Sequence, residues 1–130
     1  MFLVQEALPY LRRSSWPSVV NVVSPGAFIA APEWSIYAAA KAALLSFTRS
    51  EAAALGPEGI RVNALCPGPV DTAMFASNPP DVRDRVAGKT ALQRVADPRE
   101  LVGPALFLAS RAASFVTGEV LFANGGSSGS

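Results

Sequence analysis

The side chains that could perform chemistry are Tyr37 and Lys41, four positions apart, with Ser24 thirteen residues before the tyrosine. On a helix, positions i and i+4 lie on the same face, one turn apart. An ammonium group beside a phenol favours its ionised form, so Lys41 could support Tyr37 as a general acid/base. The chain has no histidine to do this work. The pair alone is weak evidence, because the same spacing occurs where a half-buried aromatic lies beside a solvated lysine.

Composition limits the class of protein. With 130 residues, half of them hydrophobic, the chain is long enough for one domain with a sizeable core. Its net charge is +1 and it has no basic run, so we expect no nucleic-acid partner. No apolar run reaches the roughly 18–20 residues that a membrane span needs, so we expect no membrane partner.

Cysteine and histidine usage limits the compartment and the metal chemistry. Cys66 is the one cysteine and has no internal disulfide partner. A reducing cytoplasm is therefore the expected location. A metal site is not expected in a chain with one cysteine and no histidine.

A strand must position Ser24. Residues 18–23 are β-branched and apolar at nearly every position apart from Asn21, which predicts a strand buried on both faces of a parallel sheet. Ser24 follows that strand, and in open α/β sheets ligands bind beyond the carboxyl ends of the strands. The commoner role of such a serine, a turn or capping hydroxyl, also stays open.

A long helix must carry Tyr37 and Lys41. Residues 35–55 are rich in Ala and Leu, Ser35 is the expected N-cap, and a Gly-Pro pair follows as a stop signal. A second short strand is predicted at 60–65. Together the three elements form a crossover unit, which predicts parallel strands and a right-handed connection.

A stiff loop follows the second strand. Residues 66–72 read Cys-Pro-Gly-Pro-Val-Asp-Thr. Because the strands are parallel, this loop is expected at the same edge of the sheet as Ser24. An ordinary Pro/Gly turn is the alternative.

A first helix is predicted over residues 1–13, with Arg12 and Arg13 in its last turn and Pro9 as a kink or part of its final turns. The helical pattern is already running at residue 1, without a capping residue. This indicates either that an upstream part is missing or that a terminal helix begins there.

Two further segments lie beyond the loop. Residues 73–90 are expected to be irregular or weakly helical around 81–86, and could act as a lid. A strong helix start at Asp97 predicts a helix to about Ser110. Its apolar side is expected to hold Leu101, Ala105, Leu106 and Leu108.

Taken together, these motifs resemble the carboxyl-terminal half of the short-chain dehydrogenase/reductase family. The residues that carry the resemblance are Ser24, Tyr37, Lys41, Asn63, Pro67, Gly68, Thr72, the Phe-Leu-Ala-Ser run at 107–110, Thr117, Gly118, Gly125 and Gly126. The resemblance implies an α/β fold, with residues 1–130 forming a single, partial, parallel-sheet Rossmann-like domain. This domain would end in a strand at 119–123 and a flexible tail at 125–130.

The resemblance also implies a role for each matched site residue. Tyr37 would exchange a proton with the oxygen of a small-molecule alcohol or carbonyl substrate as hydride passes to or from the nicotinamide of NAD or NADP. Lys41 would bind the nicotinamide ribose and support Tyr37, and Ser24 would place the substrate. The cofactor-binding residues implied are Tyr37, Lys41, Pro67, Gly68, Val70 and Thr72, with the Val70 backbone and the Thr72 hydroxyl near the carboxamide.

The chain also departs from the family pattern. Its ten glycines form no G-x-x-x-G-x-G phosphate-binding turn, and the residue that would select NAD or NADP is absent with the glycine-rich first βαβ units. Without that turn, a dinucleotide would lose charge-assisted hydrogen bonds. The strand at 18–23 would also lose a sheet neighbour, and its open edge would invite self-assembly.

Two functions of different classes are therefore carried forward. The leading one is an NAD(P)-dependent oxidoreductase that interconverts an alcohol and a carbonyl. The alternative is a truncated, catalytically incompetent remnant or a homo-oligomeric assembly module that pairs through the helices at 1–13 and 35–55. A serine hydrolase using Ser24 is disfavoured, because the chain has no histidine and no G-x-S-x-G motif.

Overall fold

The computed structural model describes residues 2–30 and 32–127, and at its centre lies a sheet of three parallel strands. The strands are β1 (Ser18–Val22), β2 (Arg61–Pro67) and β3 (Val120–Ala123), in the order β1-β2-β3. In the register of the first pair, Val20 aligns with Asn63. The predicted α/β fold with a parallel sheet is confirmed.

The described part of the chain contains five α-helices. They are α1 (Phe2–Leu11), α2 (Ser35–Leu55), α3 (Ala73–Ala76), α4 (Pro80–Ala87) and α5 (Val102–Ala109). Short 3-10 turns span Pro25–Ala27, Pro32–Trp34, Gly56–Glu58, Pro98–Leu101 and Arg111–Ala113. The predicted parallel crossover unit is β1–α2–β2.

Both faces of the sheet are covered. On one face, Val62 of β2 packs with Val4 of α1 and Ala52 of α2. On the other, the Arg61 guanidinium donates to the Leu108 carbonyl in α5 at 2.9 Å. Because side chains alternate between faces along a strand, this double cover explains why β2 is buried along nearly its whole length.

Among the described strands, β1 pairs with β2 alone and forms an open edge of the sheet, as expected for a strand without its second neighbour. The prediction that residues 18–23 form a strand buried on both faces is wrong, because residues 18–21 are only half-buried and Val22 is 51% exposed at this edge. Val23 is buried but lies just beyond the strand.

Two predicted boundaries need correction near the ends of α2 and β2. Ser35 is the first residue of α2 rather than its N-cap, and the cap residue, Trp34, makes no side-chain capping hydrogen bond. β2 continues to Pro67 because its parallel register with β3 extends to the Pro67–Ala123 pair. Cys66 therefore belongs to the strand and not to the loop.

The segment at 73–90 is more regular than predicted. It contains α3 and α4, and the Thr72 hydroxyl caps α3 by accepting a hydrogen bond from the Phe75 N–H at 3.3 Å. Pro80 occupies the first turn of α4, where its missing N–H costs nothing. α4 corresponds to the weakly helical region predicted around 81–86, whereas α3, held by its cap, is too short to be visible as periodicity.

The helix start at Asp97 is confirmed, with a capping box formed by Asp97 and Glu100. Its first turn is 3-10, and α5 follows it. Leu106, expected on the apolar side, is exposed, whereas Leu108 is buried. Residues two positions apart on a helix are separated by about 200° of rotation around its axis, so these leucines cannot share a face.

The ends of the chain extend past the described residues. α1 includes Pro9 and ends before Arg12 and Arg13, while residue 1 of the predicted helix lies outside the described ranges. The predicted tail at 125–130 is described to residue 127, and the Gly125 carbonyl accepts a hydrogen bond from the Leu92 N–H at 3.1 Å. Within the described ranges, every helix is too short or too polar to cross a membrane.

Candidate active site

A cleft of about 620 Å³ lies beyond the carboxyl ends of β1 and β2. All the residues predicted to hold substrate or cofactor line it. They are Ser24, Tyr37, Lys41, Pro67, Gly68, Val70 and Thr72. The structure therefore brings these residues together, whereas their chemical roles remain predictions.

Ser24 lies one residue past Val23, in extended conformation, and caps the 3-10 turn Pro25–Ala27. Its Oγ accepts a hydrogen bond from the Gly26 N–H at 3.3 Å. A hydroxyl that accepts one bond still has its proton to donate. A Cβ placed on Gly26 would lie 3.7 Å from Ser24 Oγ and 3.8 Å from Tyr37 Cε1, so the serine and the phenol ring flank the same glycine.

Tyr37 and Lys41 project from the amino-terminal part of α2. Lys41 Nζ lies 5.7 Å from the centroid of the Tyr37 ring and donates to the Val22 carbonyl at 2.9 Å. That single bond orients the amine toward the end of β1 and leaves two of its three N–H donors. The Tyr37 hydroxyl has no hydrogen bond with any other described residue, so it can serve a ligand.

The loop after β2 contains one residue, Val70, whose own N–H and C=O are both available for a ligand. Val70 forms a parallel bridge with Ala96, in which the Ala96 N–H donates to Pro69 at 3.0 Å and the Asp71 N–H donates to Ala96 at 2.9 Å. The Val70 N–H and C=O themselves bond to nothing else in the described ranges. A neighbouring donor and acceptor of this kind match a primary carboxamide.

Gly68 and Thr72 complete this loop, and each has a structural duty. A Cβ on Gly68 would lie 2.7 Å from the Cα and carbonyl oxygen of Asn124, so only glycine fits there. The Thr72 oxygen accepts the capping bond from Phe75, which leaves its hydroxyl proton to donate.

The electrostatics of the cleft are simple. Among the described residues that line it, Lys41 is the one charged group. Cys66, in the adjacent strand, is buried, and burial raises the pKa of its thiol to about 11. The thiol is therefore protonated at neutral pH and is a poor nucleophile. In the described ranges no group of three His, Cys, Asp or Glu could hold a metal ion.

Sequence reasoning missed one wall of the cleft. Residues around α3 that line it are Met74, Phe75, Ser77 and Asn78. Trp34 also lines it and lies edge-on to Tyr37, with ring centroids 6.0 Å apart and an interplanar angle of 83°. Its position three residues before Tyr37 could have indicated that the two rings lie close together, whereas α3 is too short to give a detectable sequence pattern.

Comparison with known proteins identifies sequence relatives of this chain. The family described as enoyl-(acyl carrier protein) reductase matches residues 1–128. Cis-4-hydroxycyclohexanecarboxylate dehydrogenase of Sinomonas cyclohexanicum is 40% identical over 122 residues, which cover 94% of this chain and 49% of that protein. The 3-oxoacyl-[acyl-carrier-protein] reductase of Aquifex aeolicus is 36% identical over 126 residues, covering 96% and 51%. The chain thus spans about half the length of these relatives.

Solved structures that resemble the chain are also matched over about half of their length. Ligand-free aldohexose dehydrogenase of Thermoplasma acidophilum superposes with a TM-score of 0.87 at 34% identity, over 96% of this chain and 53% of that one. A 7α-hydroxysteroid dehydrogenase complexed with NADH and 7-oxo glycochenodeoxycholic acid superposes with a TM-score of 0.91 at 30% identity, over 98% and 51%. The parallel sheet and its helices therefore correspond to about half of a Rossmann-like dehydrogenase domain.

Proposed function

This chain belongs to the short-chain dehydrogenase/reductase family, and we propose that it provides the reaction centre of an NAD(P)-dependent oxidoreductase that interconverts an alcohol and a carbonyl by hydride transfer. The observation that carries the proposal is the convergence of Ser24, Tyr37 and Lys41 on one cleft. The names of the relatives cover a cyclohexane carboxylate, a sugar and a 3-oxoacyl group. They leave the substrate of this protein open.

Each of the three residues has a distinct part in the proposed reaction. The Ser24 hydroxyl donates to the substrate oxygen and places it. Tyr37 gives its proton to that oxygen during reduction and takes it back during oxidation. The Lys41 ammonium, held by the Val22 carbonyl, stabilises the negative charge that develops on the phenol oxygen. The nicotinamide, when bound, supplies or accepts the hydride.

The loop after β2 fits a nicotinamide. The available N–H and C=O of Val70 would pair with its carboxamide, and the Thr72 hydroxyl proton would add a third bond. The remaining donors of Lys41 would hold the ribose hydroxyls. We expect this chain alone to bind the dinucleotide weakly, because its sequence contains no glycine-rich phosphate-binding turn.

The decisive experiment compares the two tyrosines of the chain. Tyr37→Phe should lower the rate of carbonyl reduction with NADH or NADPH about 10²- to 10⁴-fold, while cofactor affinity by calorimetry stays unchanged. Tyr10→Phe, on the exposed surface of α1, is the matched control and should keep the full rate. Undiminished turnover in Tyr37→Phe would refute the role proposed for it.

A second candidate function, self-assembly through the segments at 1–13 and 35–55, has support from exposed apolar side chains. Phe2 and Leu3 of α1 and Ile36 of α2 are all exposed, and surfaces of this kind mark interfaces. This function would be favoured by absence of heat with NADH and NADPH, together with self-association that Leu3→Glu abolishes in ultracentrifugation. We also propose a cytoplasmic location, which the lone, buried Cys66 supports.

A further inference from the structure

The cleft continues into a second space of about 320 Å³, here named the side cavity. Ser24, Trp34 and Phe75 line both spaces, whereas Val82 and Val86 of α4 line the side cavity and not the cleft. A substrate whose reacting oxygen meets Ser24 would therefore extend toward α4 past Trp34 and Phe75, which line both spaces.

The walls of the side cavity are mostly apolar, although Ser24, Asn78 and Ser127 also line it. None of the described residues that line it is Asp, Glu, Lys or Arg. In the cleft, Lys41 is the one charged group among the described lining residues, and the donors that its bond to the Val22 carbonyl leaves are those proposed for the ribose. A carboxylate removed from water without a partner costs far more than an apolar group. The walls thus favour a neutral, apolar substituent.

Trp34 is placed to contact such a substituent. Its ring packs edge-on against Tyr37, 6.0 Å between centroids, yet the residue is 57% exposed. Its backbone is held between the 3-10 turn Pro32–Trp34 and the start of α2. An aromatic face already in place gains contact area from a ligand at little entropic cost.

Phe75, which lines both spaces, is held by two contacts. Its N–H donates to Thr72 at 3.3 Å, and the Arg83 guanidinium carbon lies 5.8 Å from its ring centroid. Arg83 lies 3.7 Å from the Asp71 carboxylate and does not line either space. This cation therefore supports the aromatic ring and is not offered to a substrate.

We infer that Trp34 and Phe75 select a carbonyl or alcohol compound whose ring or chain beyond the reacting carbon is apolar and uncharged, with Trp34 as a specificity-determining residue. The inference rests on the proposed function, because that function puts the reacting carbon beside Tyr37.

The test uses two ketones that share a ring and differ in one substituent, 4-phenylcyclohexanone and 4-oxocyclohexanecarboxylate. Dissociation constants for the full chain are measured by ligand-observed NMR titration, with and without NADH or NADPH. The phenyl ketone should bind at least about tenfold more tightly. Trp34→Ala and Phe75→Ala should each weaken its binding about tenfold, while Ile36→Ala, exposed and away from both spaces, should leave it unchanged.

Circular dichroism verifies folding of each variant, and Trp34→Leu replaces Trp34→Ala if the latter does not fold. Equal or tighter binding of the carboxylate, absence of binding by both ketones, or unchanged affinity in both ring variants would overturn the inference. Selective binding of the phenyl ketone without hydride transfer would support the inference and count against the proposed function. Hydride transfer to both ketones with equal kcat/KM would support the proposed function and contradict the inference about substrate selection.

Discussion

The middle of β2 and the cleft use polar side chains in opposite ways. In β2, the buried Asn63 donates to the Val116 carbonyl at 2.9 Å and accepts from the Glu119 N–H at 3.1 Å. In the cleft, Ser24 accepts one bond and Tyr37 makes none with other described residues. Polar groups that hold the fold are bonded to the backbone, whereas those proposed for chemistry keep donors for a ligand.

Arg61 shows the structural use of a charge at the amino end of β2. It is buried, and burial lowers the pKa of its guanidinium below the ordinary value. The guanidinium donates to the carbonyls of Leu108 at 2.9 Å and Ser110 at 3.2 Å. Carbonyls at a helix end lack intrahelical partners, so this arginine satisfies the end of α5.

The largest effect on stability is expected from Asn63→Ala. It leaves the Val116 carbonyl and the Glu119 N–H without their partner and opens a cavity, which should lower the free energy of unfolding by about 2–4 kcal/mol. Urea denaturation measures the change. Tyr37→Phe, the counterpart in the cleft, should change it by less than about 0.5 kcal/mol. Equal losses of unfolding free energy in Asn63→Ala and Tyr37→Phe would contradict the difference drawn here between β2 and the cleft.

Gly68→Ala is expected to have the next largest effect, although Gly68 lines the cleft. The new methyl would lie 2.7 Å from the Asn124 backbone, and overpacking of this kind costs about 1–3 kcal/mol. Gly103→Ala, in α5 with nothing within 4 Å of the new Cβ, is the control and should be neutral or stabilising in the same urea titration. If Gly68→Ala leaves the stability unchanged, the loop must be able to move away from Asn124.

Ser24→Ala should separate stability from chemistry. Loss of the bond from the Gly26 N–H should cost about 0.5–1 kcal/mol, whereas the rate should fall about 10²-fold if the hydroxyl places the substrate oxygen. Ser110→Ala, at a residue that does not line the cleft, removes a cap of the same kind, a bond from the Ala112 N–H at 3.2 Å, and also the bond from its hydroxyl to the Phe107 carbonyl at 3.1 Å. It should lose at least as much stability and keep the rate, measured as kcat and KM. A parallel fall in both variants would assign Ser24 to structure alone.

The sequence was sufficient to predict what depends on long patterns. The bounds of α2 follow from 21 residues of helical composition, and parallel strands place Ser24 and the loop after β2 at one edge of the sheet. Those two facts were enough to bring Ser24, Tyr37 and Lys41 to one cleft. Their roles stay predictions until the variants are measured.

The remaining features depend on contacts that no local pattern encodes. Trp34 and Phe75 line the same two spaces only after the strands and loops have assembled, and Asn63 cannot be told from a catalytic asparagine without its partners. The capping error at Ser35 has the same origin, because capping depends on backbone angles at the helix start and the cap position belongs to Trp34.

The smallest effect is expected from a pair that is fully bonded but exposed. Arg94 donates to both carboxylate oxygens of Glu100 at 2.6 Å, and the Asp97 N–H adds a bond at 2.8 Å, while the two paired side chains remain 51% and 43% exposed. The hydrogen bond from Arg94, with that from Asp97, lowers the pKa of Glu100 from 4.5 to about 2. A lowered folded-state pKa stabilises the fold above the ordinary carboxyl pKa, and this stabilisation is lost as the pH falls through about 2.

Because solvent screens the pair, Glu100→Gln should lower the urea midpoint at pH 7 much less than Asn63→Ala does. Its difference from the parent chain should shrink below pH 4.5, and Glu6→Gln on α1 is the control. A midpoint shift as large as that of Asn63→Ala would mean that pairing alone, rather than pairing with burial, determines which polar groups hold this fold.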